Sequence, residues 1–309
     1  STRLSGSGSV TITVSSACTV RAVSVFGTDV SAEATATFTV SAVYDNNVNR
    51  NKGTNLTNCS ESWRLEFPHL NETRQCEWVT KSSDNMITYS LEWDDNLFAN
   101  RWTCYQMYSK IMESNVSRKA AFKEDPELDS SYRSTLSDYS NSGYSRGHLC
   151  PSADRLYSQN QNSQTFYLSN MQPQWQSHNG GIWSTFEAKI RTWAGQCDTL
   201  YVVKAATIDD VTLNGSTTSG VNTTLCNNRL PVPKYFYMAL LKYTKSTDTY
   251  SAIALWTVHQ STDESDKTVA THAITIDELE ARTGIDFFCN LPDDVEATVE
   301  ASYTLSNWQ

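Results

Sequence analysis

Tyr144-Ser145-Arg146-Gly147-His148-Leu149-Cys150-Pro151-Ser152-Ala153-Asp154 is the stretch around which this chain is organised. It sets a guanidinium, Arg146, and an imidazole, His148, two residues apart across a glycine. A guanidinium offers a rigid fork of donors that matches a phosphate. An imidazole holds or releases a proton near neutral pH. Gly147 lets the backbone turn or approach a ligand closely. Two later tracts complete the pattern: Leu168-Ser169-Asn170-Met171-Gln172-Pro173-Gln174, and a run from His178-Asn179 through Trp183 and Glu187 to Arg191.

Gly181 to Trp193 reads as a helix. Ile182, Phe186, Ile190 and Trp193 recur at helical spacing as its buried face. Trp183, Glu187 and Arg191 recur on a second face, with Asn179 one step further back. Such a helix can aim Asn179, Glu187 and Arg191 at one place. Taken alone, Glu187 and Arg191 read as an ordinary surface pair worth about 0.2–0.5 kcal/mol, and an isolated His or Arg is more often a satisfied polar residue than a catalyst. The combination says more. Phosphodiester hydrolysis needs a base for water, a cation on the non-bridging oxygens and charge relief at the leaving oxygen. His148 can be the base, active as it loses its proton around pH 6–7. Arg146 and Arg191 can be the cations. Asn179, supported by Asn170 and Glu187, can hold Mg²⁺ by its amide oxygen and through bound waters.

The 309 residues carry a net charge of −10, which argues against coating nucleic acid by bulk electrostatics. From Tyr144 to Trp193, however, Arg146, Arg155, Lys189 and Arg191 outnumber Asp154 and Glu187. A local basic cleft in an acidic body suits an enzyme that must release its product. No apolar run is long enough for a membrane span. Eight cysteines without a CxxC pair disfavour zinc and suit disulfides in an oxidising compartment, with buried thiols as the alternative. The first residues do not read as a signal peptide.

Residues up to about Tyr44 alternate with period two and predict strands at Ser9–Val14, Val20–Phe26 and Thr35–Val43. Asp45 to Asn58, polar and Asn-rich, reads as a linker. Residues 1–58 are therefore a small β-rich module and 59–309 the main domain. In the latter, strands are expected at Trp63–Phe67, Cys76–Thr80, Met86–Trp93, Asn100–Met107, Gln164–Leu168, Thr199–Ala205, Tyr235–Tyr243 and Tyr250–Thr257. Pro173–Asn179 is expected as loop. A short helix, Ile276–Arg282, is capped by Thr275 and ends at Gly284. The order predicts an α+β domain without βαβ alternation.

The three motifs resemble those of the DNA/RNA non-specific endonucleases, the ββα-metal nucleases. That family reads Asp-Arg-Gly-His, Leu-Ser-Asn-x-x-Pro-Gln and Asn-x-Gly-x-Trp-x-x-x-Glu. The similarity runs from about Ser62 onward. It implies a two-stranded ribbon carrying His148 as general base, packed on a helix carrying Asn179 as direct Mg²⁺ ligand, with Mn²⁺ as a substitute. It implies that Asn170 and Glu187 arrange metal-bound waters and that Arg146 and Arg191 contact phosphate. The implied partners are DNA and RNA without sequence specificity, cut to leave 5′-phosphates, by a secreted or cell-envelope enzyme. Ser145 departs from the family's acid, which leaves a catalytically weakened nucleic-acid-binding protein as the alternative. An adhesion protein working through its β module is a third reading.

Overall fold

The apolar runs at Met86–Trp93, Asn100–Met107, Thr199–Ala205, Tyr235–Tyr243 and Tyr250–Thr257 need cover on both faces. The computed structural model, which describes residues 18–38, 46–52 and 59–309, provides that cover. Four short strands come first: β1 (Cys18–Ala22), β2 (Val25–Phe26), β3 (Asp29–Val30) and β4 (Ala34–Phe38). β1 pairs antiparallel with β4, and β2 with β3. They belong to a compact unit of residues Ser1–Asn46, and Asn47–Gln309 form the second unit. The expected strand Ser9–Val14, the end of Thr35–Val43 and half of the expected linker lie outside the described residues.

The chain divides into compact units between Asn46 and Asn47, ahead of the boundary expected at residue 58. Asn-rich composition suggested a linker, yet Asn47, Asn49 and Asn51 work as hydrogen-bonding straps. Asn47 Nδ2 donates to Leu291 O at 2.7 Å. The buried Asn51 side chain donates to Ser62 O at 3.0 Å and Pro68 O at 3.1 Å, and accepts from Leu70 N at 2.9 Å. Short amides can satisfy backbone groups that no strand reaches.

The second unit continues with β5 (Cys76–Ser83), β6 (Met86–Asp94), β7 (Ala99–Met107), β8 (Ser145–His148), α1 (Gln159–Gln164), β9 (Met171–Gln174), α2 (Gln176–His178) and α3 (Ser184–Ala194). Then come β10 (Thr199–Ala206), β11 (Asp210–Leu213), β12 (Ser216–Ser219), β13 (Tyr235–Thr244), β14 (Thr249–Val258), α4 (Val269–His272), β15 (Ala273–Ile274), α5 (Ile276–Thr283) and α6 (Asp293–Glu300). Seven strands form one antiparallel sheet in the order β15-β14-β13-β10-β7-β6-β5. β8 and β9 make a separate two-stranded ribbon.

Side-chain alternation splits β10 between two cores. Leu200, Val202 and Ala206 pack with Ile182, Phe186, Ile190 and Trp193, the face expected from the 3.6-residue period. Val203 and Ala205 pack with Ile276 and Leu279 of α5 and Val299 of α6. α3 therefore covers one face of the sheet, and α5 and α6 the other. Each fully buried apolar side chain contributes about 1.5–3 kcal/mol. That outweighs any surface pair, so packing fixes α3. α5 starts and stops as expected: Thr275 Oγ1 accepts from Glu278 N at 3.0 Å, and Gly284 takes the left-handed conformation with φ of 66°.

Three expectations are corrected. Trp63–Phe67 is a series of turns, closed by Arg64 N on Glu61 O and Phe67 N on Arg64 O. Gln164–Leu168 holds the end of α1 and the start of a 3-10 turn, Leu168–Asn170. Ser158 caps α1 by accepting from Gln161 N at 3.2 Å, and this overrode the strand preference of Thr165 and Phe166. Pro173 lies inside β9, and α2 follows at Gln176. A two-stranded ribbon is all edge, where proline is tolerated. Cys59, Cys76, Cys104, Cys150, Cys197, Cys226 and Cys289 are free, so none of these seven is in the disulfides expected. Burial pushes the Cys150 thiol up to about 12, which keeps it protonated and inert.

Candidate active site

The β8–β9 register sets Arg146 opposite Pro173, Gly147 opposite Gln172 and His148 opposite Met171. Glycine is required at 147 because a Cβ there would run into the Gln174 side chain. The fully buried Asn170 locks the end of the ribbon. Its Oδ1 accepts from Cys150 N at 2.8 Å, and its Nδ2 donates to Cys150 O at 2.8 Å and Thr165 O at 3.0 Å. Both donors and one acceptor position are thus spent on backbone. The observed contacts of Asn170 hold the chain after His148.

The His148 ring sits against Phe122, at 5.7 Å between centroids, and Phe166, at 5.2 Å. Its Nε2 is buried and has no hydrogen-bond partner. Burial first, then the charges of Arg118, Lys204 and Arg146, drive its pKa down to about 3. The imidazole is therefore neutral throughout the physiological range. This replaces the titration near 6–7 expected from the ordinary histidine value.

Trp183 ties the ribbon to the helix: its indole Nε1 donates to His148 O at 3.2 Å. On the other side the Trp183 ring lies 5.4 Å from the Lys204 ammonium. Lys204, fully buried on β10, donates to Glu187 Oε1 at 3.2 Å. Burial raises the Glu187 pKa, and the Lys204 charge opposes the rise. Arg191 Nη1 donates to Asp154 Oδ1 at 3.0 Å, and Tyr105 donates to Asp154 Oδ2 at 3.0 Å. Glu187 and Arg191 thus form no ion pair with each other, and the reading as a surface pair gives way to two separate anchorages.

Asn179 begins a π-turn, Asn179–Trp183, that precedes α3. Gly181 breaks the helical path within it, with φ −95° and ψ −111°, and a Cβ there would collide with Asp263. The half-buried Asn179 side chain has no hydrogen bond among the described residues, so its amide oxygen is available. Arg146 lies 4.1 Å over the Phe122 ring and Arg118 lies 5.3 Å over Phe166. Neither has an ion-pair partner among the described residues. Ser145 Oγ donates to Gln176 Oε1 at 2.7 Å.

Sequence reasoning missed three participants. Lys204 had a readable signal, a single lysine inside an apolar central strand, which demands a buried partner. Asp154 lay within the opening motif but carried no role. Arg118 left no mark in its local sequence. An amide oxygen and a carboxylate oxygen are hard donors that fit Mg²⁺ or a similar divalent ion. The partnerless Asn179 amide and the Glu187 oxygen not engaged by Lys204 are the groups that would hold it.

An imidazole-bearing β-ribbon packed on a helix, in front of an antiparallel sheet, defines the ββα-metal class of nucleases. The chain belongs to the DNA/RNA non-specific endonuclease family, whose model matches residues 72–294. It is 28% identical over 219 residues to a nuclease of Nostoc sp., covering 69% of this chain and 75% of that protein. It is 33% identical to nuclease C1 of Cunninghamella echinulata over 55% of this chain and 67% of that one. The mitochondrial nuclease EXOG of Xenopus laevis is 25% identical over 67% of this chain, which spans 58% of that relative. A crystal structure of the EndoG/EndoGI complex shares the fold, with a TM-score of 0.61 and 24% identity over 70% of this chain and 88% of that one. The protein is an enzyme of the nuclease class. No helix among the described residues is long and apolar enough to cross a membrane.

Proposed function

We propose that the protein is a divalent-metal-dependent, sugar-non-specific endonuclease with His148 as general base. The observation that carries this reading is the His148 imidazole, neutral and with an unpartnered Nε2, flanked by the guanidiniums of Arg146 and Arg118, neither ion-paired among the described residues. His148 accepts a proton from water as the water oxygen bonds to phosphorus. The bond from phosphorus to the 3′ oxygen breaks, and the 5′-phosphate remains on the other fragment. Arg146 and Arg118 draw the phosphodiester in and hold its non-bridging oxygens. Arg191, half committed to Asp154, presents its remaining donors to the same chain. Asn179 would hold Mg²⁺ directly and Glu187 through water, and the ion would supply charge relief at the leaving oxygen. Asn170 fixes the backbone that carries the base, and its second lone pair is what remains for a metal-bound water.

None of the site groups reads a base edge, which favours DNA and RNA alike. Digestion of plasmid DNA, single-stranded DNA and RNA with Mg²⁺ and with chelator tests the proposal. Cutting of all three only when the metal is supplied is the expected result. Cleavage at one short sequence, or full activity in chelator, would overturn it.

A further inference from the structure

The opposite face of the sheet carries a second concentration of charge, partly buried, that the nuclease chemistry does not use. Asp277 and Glu280 stand one turn apart on α5, and Glu300 closes α6. Carboxylate oxygens of these three residues lie within 4.8 Å of one another. Glu300 is 6% exposed, and its Oε1 is buried without a hydrogen-bond partner. Asp286 and Glu296 stand beside them, bridged by the Asn49 amide at 3.1 and 2.9 Å. None of the five carboxylates has a lysine, arginine or histidine ion pair among the described residues. The last turn of α6 also lacks a basic residue, so the negative end of its dipole adds to the same charge. Burying like charges without a counterion is costly, and a bound cation relieves it.

We infer that Asp277, Glu280 and Glu300 form a structural Ca²⁺ site that ties α5 to α6, separate from the nuclease centre. The donors are all oxygen, as a hard cation requires. Ca²⁺ takes about 6–8 oxygens in a flexible geometry, whereas Mg²⁺ demands near-ideal octahedral geometry and dehydrates reluctantly, so a cluster of three carboxylates on two helices suits Ca²⁺ better. The exposed Asp277 provides a route of entry and room for the waters that complete the shell. Glu300 lies beyond residues 72–294, the span matched by the family, whereas Asp277 and Glu280 lie within it.

The test is thermal unfolding and titration calorimetry of the full chain after chelation, with CaCl₂ or MgCl₂ added back. Ca²⁺ at about 100 times its Kd should raise Tm by about 5 °C or more, and Mg²⁺ should do much less. Glu280→Gln/Glu300→Gln should unfold above the stripped wild type, because the repulsion is relieved, and should show no Ca²⁺ shift. Asp277→Asn, at the exposed lip, is a gentler variant that should weaken Ca²⁺ binding about 10-fold. A wild type whose Tm and calorimetric heats ignore Ca²⁺ would overturn the inference. So would a Ca²⁺ shift that persists in both variants, which would place the ion elsewhere.

Discussion

The two faces of the seven-stranded sheet handle buried charge in opposite ways. On the α3 face, lone cations are distributed around a neutral imidazole. Lys204 holds Glu187, Asp154 holds Arg191, and Arg146 and Arg118 stay unpaired beside His148. On the α5–α6 face, five carboxylates gather with no ion-paired cation among the described residues. The first arrangement is ready for an anion that comes and goes. The second suits a small hard cation that stays. Exposed ion pairs contribute little, whereas uncompensated buried charge is costly enough to record what a surface meets.

His148→Ala should produce the largest effect. General bases contribute about 10²–10⁴ in rate, so kcat on plasmid DNA should fall by at least about 10²-fold while Tm stays near wild type. Steady-state cleavage and a melting curve on one preparation check both halves. Unchanged turnover would move the chemistry off the α3 face.

Lys204→Met should raise the Mg²⁺ concentration for half-maximal cleavage about 10-fold, as loss of a partner behind a metal-water ligand typically does. It should also push the Glu187 pKa further up, because the nearby positive charge that opposes burial is gone. A metal titration that matches wild type would make the Lys204–Glu187 pair purely structural.

Asn51→Ala should destabilise the second unit by about 2–3 kcal/mol, since it leaves Leu70 N and Pro68 O without partners, while Ser62 O keeps the Asn290 amide. A chain beginning at Asn46 should keep wild-type melting and cleavage, and one beginning at Ser60 should melt lower. Equal melting of the two shortened chains would restore the boundary near residue 58.

The smallest effects lie in the pH dependence of stability, and they separate the two faces. Burial lowers His148 and His178 to about 3 and His259 to about 4. The unfolded chain takes up their protons below about pH 6.5 and the folded chain does not, so this group costs stability as pH falls from about 6.5 toward 4. Burial and mutual repulsion raise Glu296 to about 7, Glu280 to about 8 and Glu300 to about 10. Here the folded chain keeps protons that the unfolded chain has lost, so stability drains away as pH rises above about 4.5. In chelator the two trends oppose each other between about 4.5 and 6.5, and Tm should decline on either side. Saturating Ca²⁺ should flatten the alkaline limb alone. An alkaline limb indifferent to Ca²⁺ would sever it from the α5–α6 cluster.

Much of the α3 face was legible in the sequence because its signals are local. The apolar spacing of Ile182, Phe186, Ile190 and Trp193 is written into consecutive turns, and Arg146 and His148 are two residues apart. The central strands announced themselves as apolar runs. What escaped notice depends on partners far along the chain. Lys204 meets Glu187 from a different strand, Asn51 reaches Leu70 and Ser62, and Glu300 comes to Glu280 from a separate helix. Polar stretches such as Asp45–Asn51 look alike whether they solvate a linker or strap a core. β9 was hidden by Pro173, which forbids a central strand but not a ribbon.

The most direct test sets two variants side by side, His148→Ala and Glu280→Gln/Glu300→Gln, and measures plasmid cleavage rate at saturating Mg²⁺. The account predicts a loss of at least about 10²-fold for the first and a rate within about twofold of wild type for the second. Comparable losses in both, or full activity in His148→Ala, would contradict the division of labour between the two faces.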